Sequence, residues 1–381
     1  MVEGHQIRTF GVLSQLTKQN NVHLYSLLRD GEEIPINNEL SQICQSISGF
    51  KLTLNVFNNI KAVVESLLFS KPLMITRYIS NALKKDVQKK IQQLQPDIIH
   101  FDLLTLAGLF EIIPNNIPVV LNEHNVESDL IRQKTSGYSL SPMKALLIRE
   151  TKLLTEFEQN ACKQAKAVLA CSDDDRNEFN SYGVENVFTI PNGVNTNLLI
   201  PDYDFQNEHM VFLGGMNWYP NKIGMEWFIN NVMPLLHKAN QSIQIDVIGN
   251  PEPNIFIPKK FEKNINILGF VDDFKPIVRA ARAMIVPLTV GSGTRLKVLE
   301  GMSLGKCIIS TEKGAEGILL KNQRDVIYAN SAEEFTSAIL SVLDDNEKAI
   351  NIGKCAREVA IQAYDWNVIG QDINKVYAEL G

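Results

Sequence analysis

Residues 290–310 read VGSGTRLKVLEGMSLGKCIIS and follow the β-forming run AMIVPL (283–288). A buried strand, a glycine-rich turn and a helix bearing Arg, Lys and Glu therefore succeed one another within some thirty residues. Gly291 and Gly293 let the backbone turn tightly and approach a ligand. The helix start offers free N–H groups and a positive dipole end, which suits an anion, and Arg295 and Lys297 add charge there. Gly293, Lys297 and Glu300 are spaced i, i+4, i+7, so the pattern predicts one shared helix face. Glu300, two turns in, is placed to accept hydrogen bonds from a ribose diol. The competing reading is a capped helix with a surface ion pair. GSGTRL lacks the third glycine of G-x-G-x-x-G, and GMSLGKC is one residue short of a P-loop, with Cys where Ser or Thr belongs.

The rest of the chain favours the ligand reading. Its 381 residues suit two domains, and 45% apolar with 21% charged residues is ordinary for a globular protein. A net charge of -6 excludes general nucleic-acid binding, which needs a basic excess. The five cysteines are scattered without C-x-x-C spacing, as expected of free thiols in a reducing cytoplasm. MVEGHQIRTF lacks an apolar signal-peptide region, and no apolar run reaches the roughly 18 residues that span a bilayer. The expectation is a cytoplasmic protein, in contact at most with the inner face of the membrane.

Short β-branched runs alternate with longer helical patterns, the signature of parallel sheets with helical crossovers. In the first half the strand candidates are 22–28, 97–101, 119–123, 167–171 and 187–190. In the second half they are 210–214, 243–249, 265–269, 283–288, 306–310 and 325–329. Residues 191–208 read as a linker, and the tail from Ala332 reads as helices. VEGHQIRTF looks like the loop after a first central strand that is itself missing, which would leave its two neighbours unpaired.

A second stretch, FLGGMNWYPNKIGMEWF (212–228), repeats the logic: a strand, the Gly214-Gly215 turn, then a helix from about Pro220-Asn221. Trp218 and Trp227 read as packing residues. SDDDRNEF (172–179) could imitate a metal-binding D-x-D, but Ser172 with Asp175 three residues later fits a helix cap better. Asp272-Asp273 reads as a loop and helix start, and no metal site is predicted. Residues 51–90 carry eight Lys or Arg against two acids, interleaved with apolar runs. This suits either a core helix with a solvated face or an anionic membrane surface.

Taken together, GGMNWYPNKIGMEWF, GFVDDF (269–274), VPLTVGSGTRLKVLEGMSLGK (286–306) and PNGVN (191–195) resemble the retaining glycosyltransferases of family four. The resemblance covers nearly the whole chain and lies nearest the bacterial members that build surface polysaccharides. It implies the α/β GT-B fold: two Rossmann-like doubly wound domains facing a central cleft. The domains expected are 1–195 on the acceptor side, 196–362 for the nucleotide sugar, and a helix, 363–381, returning to the first.

The resemblance further implies a nucleotide-diphosphate-sugar donor, a glycan or lipid-linked acceptor, and neither metal nor cofactor. Glu300 matches the glutamate that holds the ribose, and Arg295 and Lys297 match the groups that neutralise the diphosphate. Gly214 and Gly215 match the phosphate-side turn, and Val271 and Asp272 lie where the base edge is read. Gly291, Ser292, Gly293 and Thr294 form the loop facing the sugar, with Gly4 left from the N-terminal donor loop. His124, in LNEHNVES (121–128), matches the histidine near sugar and acceptor. One departure is that the family's E-x7-E pattern would place its first glutamate at Ser292, so backbone groups near Gly291 must contact the sugar instead. The implied reaction is front-face transfer with retention, the leaving diphosphate stabilised by Arg295, Lys297 and helix amides. The rival readings are a sugar-nucleotide epimerase of the same fold and a non-catalytic nucleotide-binding relative.

Overall fold

The computed structural model describes residues 4–34, 39–139, 141–250, 256–291 and 295–380. The chain divides into two compact units. The N-terminal unit is Thr9–Ile190 with Gly370–Gly381, and the C-terminal unit is Met1–Arg8 with Pro191–Ile369.

The strands of the N-terminal unit are β1 (His23–Leu28), β2 (Ser46–Lys51), β3 (Ile99–Asp102), β4 (Val119–Asn122), β5 (Ala167–Ala170) and β6 (Val187–Thr189). They form two parallel sheets, β1-β2 and β3-β4-β5-β6. Every residue of β4 and β5 is buried, as for parallel strands covered on both faces. No residue of β1 is fully buried, and β1 pairs only with β2 among the described residues. β2, which begins with two serines around an isoleucine, gives no apolar run and is not among the strands expected from sequence.

The strands of the C-terminal unit are β7 (Met210–Leu213), β8 (Ile245–Ile248), β9 (Ile265–Gly269), β10 (Ala283–Val286), β11 (Cys307–Ser310) and β12 (Ile327–Tyr328). All pair in parallel in the order β12-β11-β10-β7-β8-β9. Numbered within the unit this is 3-2-1-4-5-6 read from the β9 edge, the doubly wound order, and its direction reverses between β7 and β10. β7, β8, β10 and β11 are buried throughout, as their mostly apolar residues require, with Asp246 of β8 accepting from Asn266.

Three local expectations change. Gly4 opens a helix, Gly4–Leu16, so HQIRTF is helical and not a loop. Segment 191–208 is no free linker: Val194 bridges to Asp365, and the Thr196 N–H and hydroxyl both donate to the Asp365 carboxylate, at 3.1 and 2.6 Å. Trp227 does pack, edge-on to Phe335 at 5.7 Å, but Trp218 is 53% exposed and joins no core.

The Ser172 cap is present. Its hydroxyl accepts from the Asp175 N–H at 3.1 Å and donates to the Asp175 carboxylate at 2.8 Å, starting the helix Asp173–Ser181. Asp273 likewise accepts from the Lys275 N–H, opening the helix Lys275–Ala280.

Candidate functional site

In the C-terminal unit the two glycine-rich turns leave the C-terminal ends of β7 and β10, on either side of the reversal in strand order. That position is where doubly wound sheets bind ligands. Gly214 has φ +151°, and a Cβ there would stand 2.6 Å from both Asn221 Nδ2 and Lys297 Nζ. The bare backbone thus permits two polar side chains to converge on the turn.

Asn221 lies in the helix Tyr219–Trp227, after β7. Its amide donates to the Gly215 carbonyl at 2.8 Å, and its carbonyl oxygen accepts from Lys297 Nζ at 2.6 Å. Lys297 comes from the other turn, as the second residue of the helix Leu296–Ser303. Its ammonium also sits 4.3 Å over the Phe212 ring. Burial, reinforced by the charge of Arg295, lowers the Lys297 pKa to about 7.

Arg295, buried, precedes the same helix. A Cβ on Gly291 (φ +111°) would lie 3.0 Å from its guanidinium. Among the described residues no side chain caps this helix, and Arg295 at its N-cap position makes no capping hydrogen bond. Glu300 is one turn into the helix, not two, because the helix begins at Leu296. The helix face expected for Gly293 with Lys297 and Glu300 depends on a residue outside the described ones. Burial raises the Glu300 carboxyl to about 7 against the opposing pull of Lys297. Ser292, Gly293 and Thr294 lie outside the described residues.

Val271 and Asp272 follow β9 in the loop before Lys275. Val271 packs against the unit's core, and Asp272 is exposed. Gly4 belongs to the first turn of its helix and is not brought to these groups by any described contact.

The N-terminal unit holds a second cluster, at the ends of β3 and β4. His124 is buried, and its Nε2–H donates to Asp102 Oδ1 at 2.9 Å. The buried Asn122 amide donates to the same oxygen at 2.6 Å, and the Thr9 hydroxyl donates to Oδ2. His100 Nε2 is 4.0 Å from Asp102, and its Nδ1 is hydrogen-bonded to the Tyr377 hydroxyl. Burial pushes the Asp102 carboxyl up, but the nearby His100 and the hydrogen-bonded His124 together outweigh it and hold it well below its ordinary value. An ionised Asp102 fixes the His124 tautomer and ring orientation. The sequence reading named His124 and missed Asp102, His100 and Tyr377. The signal is a strand ending in Asp opposite a strand that ends in Asn and is followed by Glu-His, visible only once β3 and β4 pair in register.

Two parallel α/β units, one doubly wound with Lys297 and Arg295 beside its topological switch point, fit the GT-B class of glycosyltransferase. A model of the glycosyl transferases group 1 matches residues 207–345, and one of glycosyltransferase family 4 matches residues 13–198. The chain belongs to these family-4-like glycosyltransferases.

Among solved structures, it is similar to HepE (Alr3699) of Anabaena in complex with UDP and glucose. The two are 15% identical, with TM-score 0.68, over 99% of this chain and 96% of that one. Sucrose-phosphate synthase from Thermosynechococcus elongatus is 14% identical, with TM-score 0.72, over 100% and 94%. At such identity the likeness is one of fold. An uncharacterized 44.6 kDa protein in the cps region of Klebsiella pneumoniae is 25% identical over 186 residues. That match spans 47% of this chain and 46% of the relative, about half the length of each.

Proposed function

We propose that the protein is a retaining glycosyltransferase that moves a sugar from a nucleotide-diphosphate donor to a glycan or lipid-linked acceptor in polysaccharide synthesis. The observation that carries the reading is the convergence of Lys297 and Asn221 on the Gly214-Gly215 turn, beside Arg295 and a helix start with no side-chain cap among the described residues. Two cations, free amides and a bare glycine backbone suit a diphosphate. HepE, similar in fold, binds UDP in its crystal structures, which favours UDP as the first nucleotide to test.

In this reading Arg295, Lys297 and the helix amides stabilise the departing diphosphate as charge develops on it. Glu300 holds the ribose, Val271 and Asp272 border the base, and no metal or cofactor is required. His124, oriented by Asp102, contributes on the sugar and acceptor side. Retention is assigned from the motif resemblance, and so is the polysaccharide role.

The test is ligand-dependent thermal stability against UDP, GDP, ADP and their sugars, repeated with Lys297→Ala. One nucleotide should raise Tm in the wild type and not in the variant. No shift with any nucleotide in folded protein would overturn the donor assignment. The product of a subsequent transfer assay reports whether the anomeric configuration is retained.

A further inference from the structure

The helix Val56–Phe69 is inside out. Phe57, Ile60, Val64, Leu67 and Leu68 recur at helical spacing along one stripe, yet all are exposed, Phe57 by 74% and Leu68 by 72%. Its inward side is the small, buried pair Ala62 and Ser66. An amphipathic helix of a globular domain normally turns its apolar stripe to the core.

The arrangement is fixed by specific polar contacts. Asn55 caps the helix start by accepting from the Asn58 N–H at 2.8 Å. The Thr76 hydroxyl donates to the Ala62 carbonyl, and Arg149 donates to the Ser66 carbonyl at 2.6 Å. Met143, Leu146 and Ile148, on the helix that carries Arg149, are also exposed. So large an unpartnered apolar stripe marks a binding surface.

Charge identifies the partner. Beside the helix lies a cavity of about 710 Å³ whose walls carry Lys51, Lys61, Lys71, Arg77 and Lys84 against Glu65 and Glu111. Lys84 pairs with Glu111 at 2.5 Å, and Lys61 lies 3.7 Å from Glu65. Among the described residues Lys51, Lys71 and Arg77 form no ion pair within 4.0 Å, although Lys71 lies near enough to Glu111 to help Lys84 hold that carboxyl down. This local excess of positive charge stands out in a chain of net charge -6. A second copy docked on the same face would bring these cations against their own counterparts, at a repulsive cost. A surface of anionic phosphates over hydrocarbon complements both features at once.

We propose that the helix Val56–Phe69 docks the N-terminal unit on an anionic lipid bilayer. Its apolar stripe enters the acyl boundary, and Lys51, Lys71 and Arg77 receive a lipid phosphate in the adjoining cavity. At 14 residues the helix is about 21 Å long, too short to cross the roughly 30 Å hydrocarbon core, so it lies in the plane of the surface. The proposal does not depend on the transferase reading, because docking requires no sugar donor.

The test is co-sedimentation of the full chain with vesicles of phosphatidylcholine alone or mixed with phosphatidylglycerol, at low and high salt. Binding should require phosphatidylglycerol and weaken with salt. The double variant Phe57→Ser/Leu68→Ser should lose about tenfold or more in affinity, since two buried apolar side chains are removed from the interface. Lys71→Glu/Arg77→Glu should lose a comparable factor while keeping the wild-type Tm. Both pairs are at the surface, and circular dichroism checks that each variant is folded. Failure of the folded wild type to bind anionic vesicles would overturn the proposal. Undiminished binding by Phe57→Ser/Leu68→Ser would do the same. A concentration-dependent dimer abolished by that variant, without vesicle binding, would reassign the face to a second copy.

Discussion

Lys297 Nζ lies 2.6 Å from Asn221 Oδ1, and this one contact ties the helix after β10 to the helix after β7 across the reversal in strand order. It couples two turns that are seventy-six residues apart in sequence. It also fixes how the site responds to pH. The folded pKa of Lys297 is lowered from 10.5 to about 7, by burial first and Arg295 second. Between those values the unfolded chain binds a proton that the folded one does not, so stability from this group rises with pH across that window and is lost as pH falls through about 7. A bound diphosphate favours the ammonium and raises the pKa again. Nucleotide diphosphate should therefore bind with proton uptake near pH 8, and more weakly as the pH climbs further. Titration calorimetry in two buffers of different ionisation enthalpy reads this directly. Equal heats in both buffers would show that Lys297 does not meet the diphosphate.

Gly214→Ala tests the turn itself. The residue holds φ +151°, and the new Cβ would sit 2.6 Å from Lys297 Nζ and Asn221 Nδ2. Strain at such a backbone position costs about 1–3 kcal/mol, and both polar side chains must be displaced. The variant should fold with a lowered Tm and show no stabilisation by nucleotide. A normal nucleotide response would mean that the turn is not part of the donor site.

Asp102→Asn addresses the second cluster. Asp102 accepts from Thr9, Asn122 and His124, and its folded pKa is depressed. Its stabilising contribution is thus present above the unfolded value of 3.8 and lost as pH falls toward the lower, folded one. At pH 7 the substitution should cost about 1–3 kcal/mol, the penalty for a buried network left partly unsatisfied. The gap to wild type should narrow in acid. If His124 acts in transfer, kcat falls more than binding of the donor nucleotide, because the ring loses the carboxylate that orients it. A variant with full activity would reduce the cluster to a structural role.

The strands are legible because the C-terminal unit buries the centre of its sheet on both faces, so β7, β10 and β11 appear as short, mostly apolar runs. β2 was not, since SISGFK is half-exposed and polar at its start. Gly214, Gly215, Arg295, Lys297 and Glu300 could be read because glycines and charges follow strands immediately. Asn221 could not, since its role depends on a side chain seventy-six residues away. Asp102 and Tyr377 contact histidines distant in sequence for the same reason. Segment 51–90 left two readings open, because periodicity shows that a helix is amphipathic and not which way it faces. The exposure of Phe57 and Leu68 supplies the direction.

Glu300→Gln separates stability from binding. Burial raises the Glu300 carboxyl from 4.5 to about 7. Its favourable contribution is full below the unfolded value and lost as pH rises through about 7, so at pH 8 the ionised carboxylate opposes folding. Glutamine has the same shape and no charge. The unliganded variant should therefore melt at or above the wild-type Tm at pH 8, with the difference shrinking toward pH 5. If the carboxylate accepts both ribose hydroxyls, the amide, with one acceptor oxygen, should lose most of the nucleotide-induced shift. A variant that is stabler without nucleotide and less responsive to it would show a charge kept at a cost to the fold because the ligand needs it. A variant that melts lower in both conditions, and keeps its nucleotide response, would make Glu300 a structural residue and move the ribose contact elsewhere.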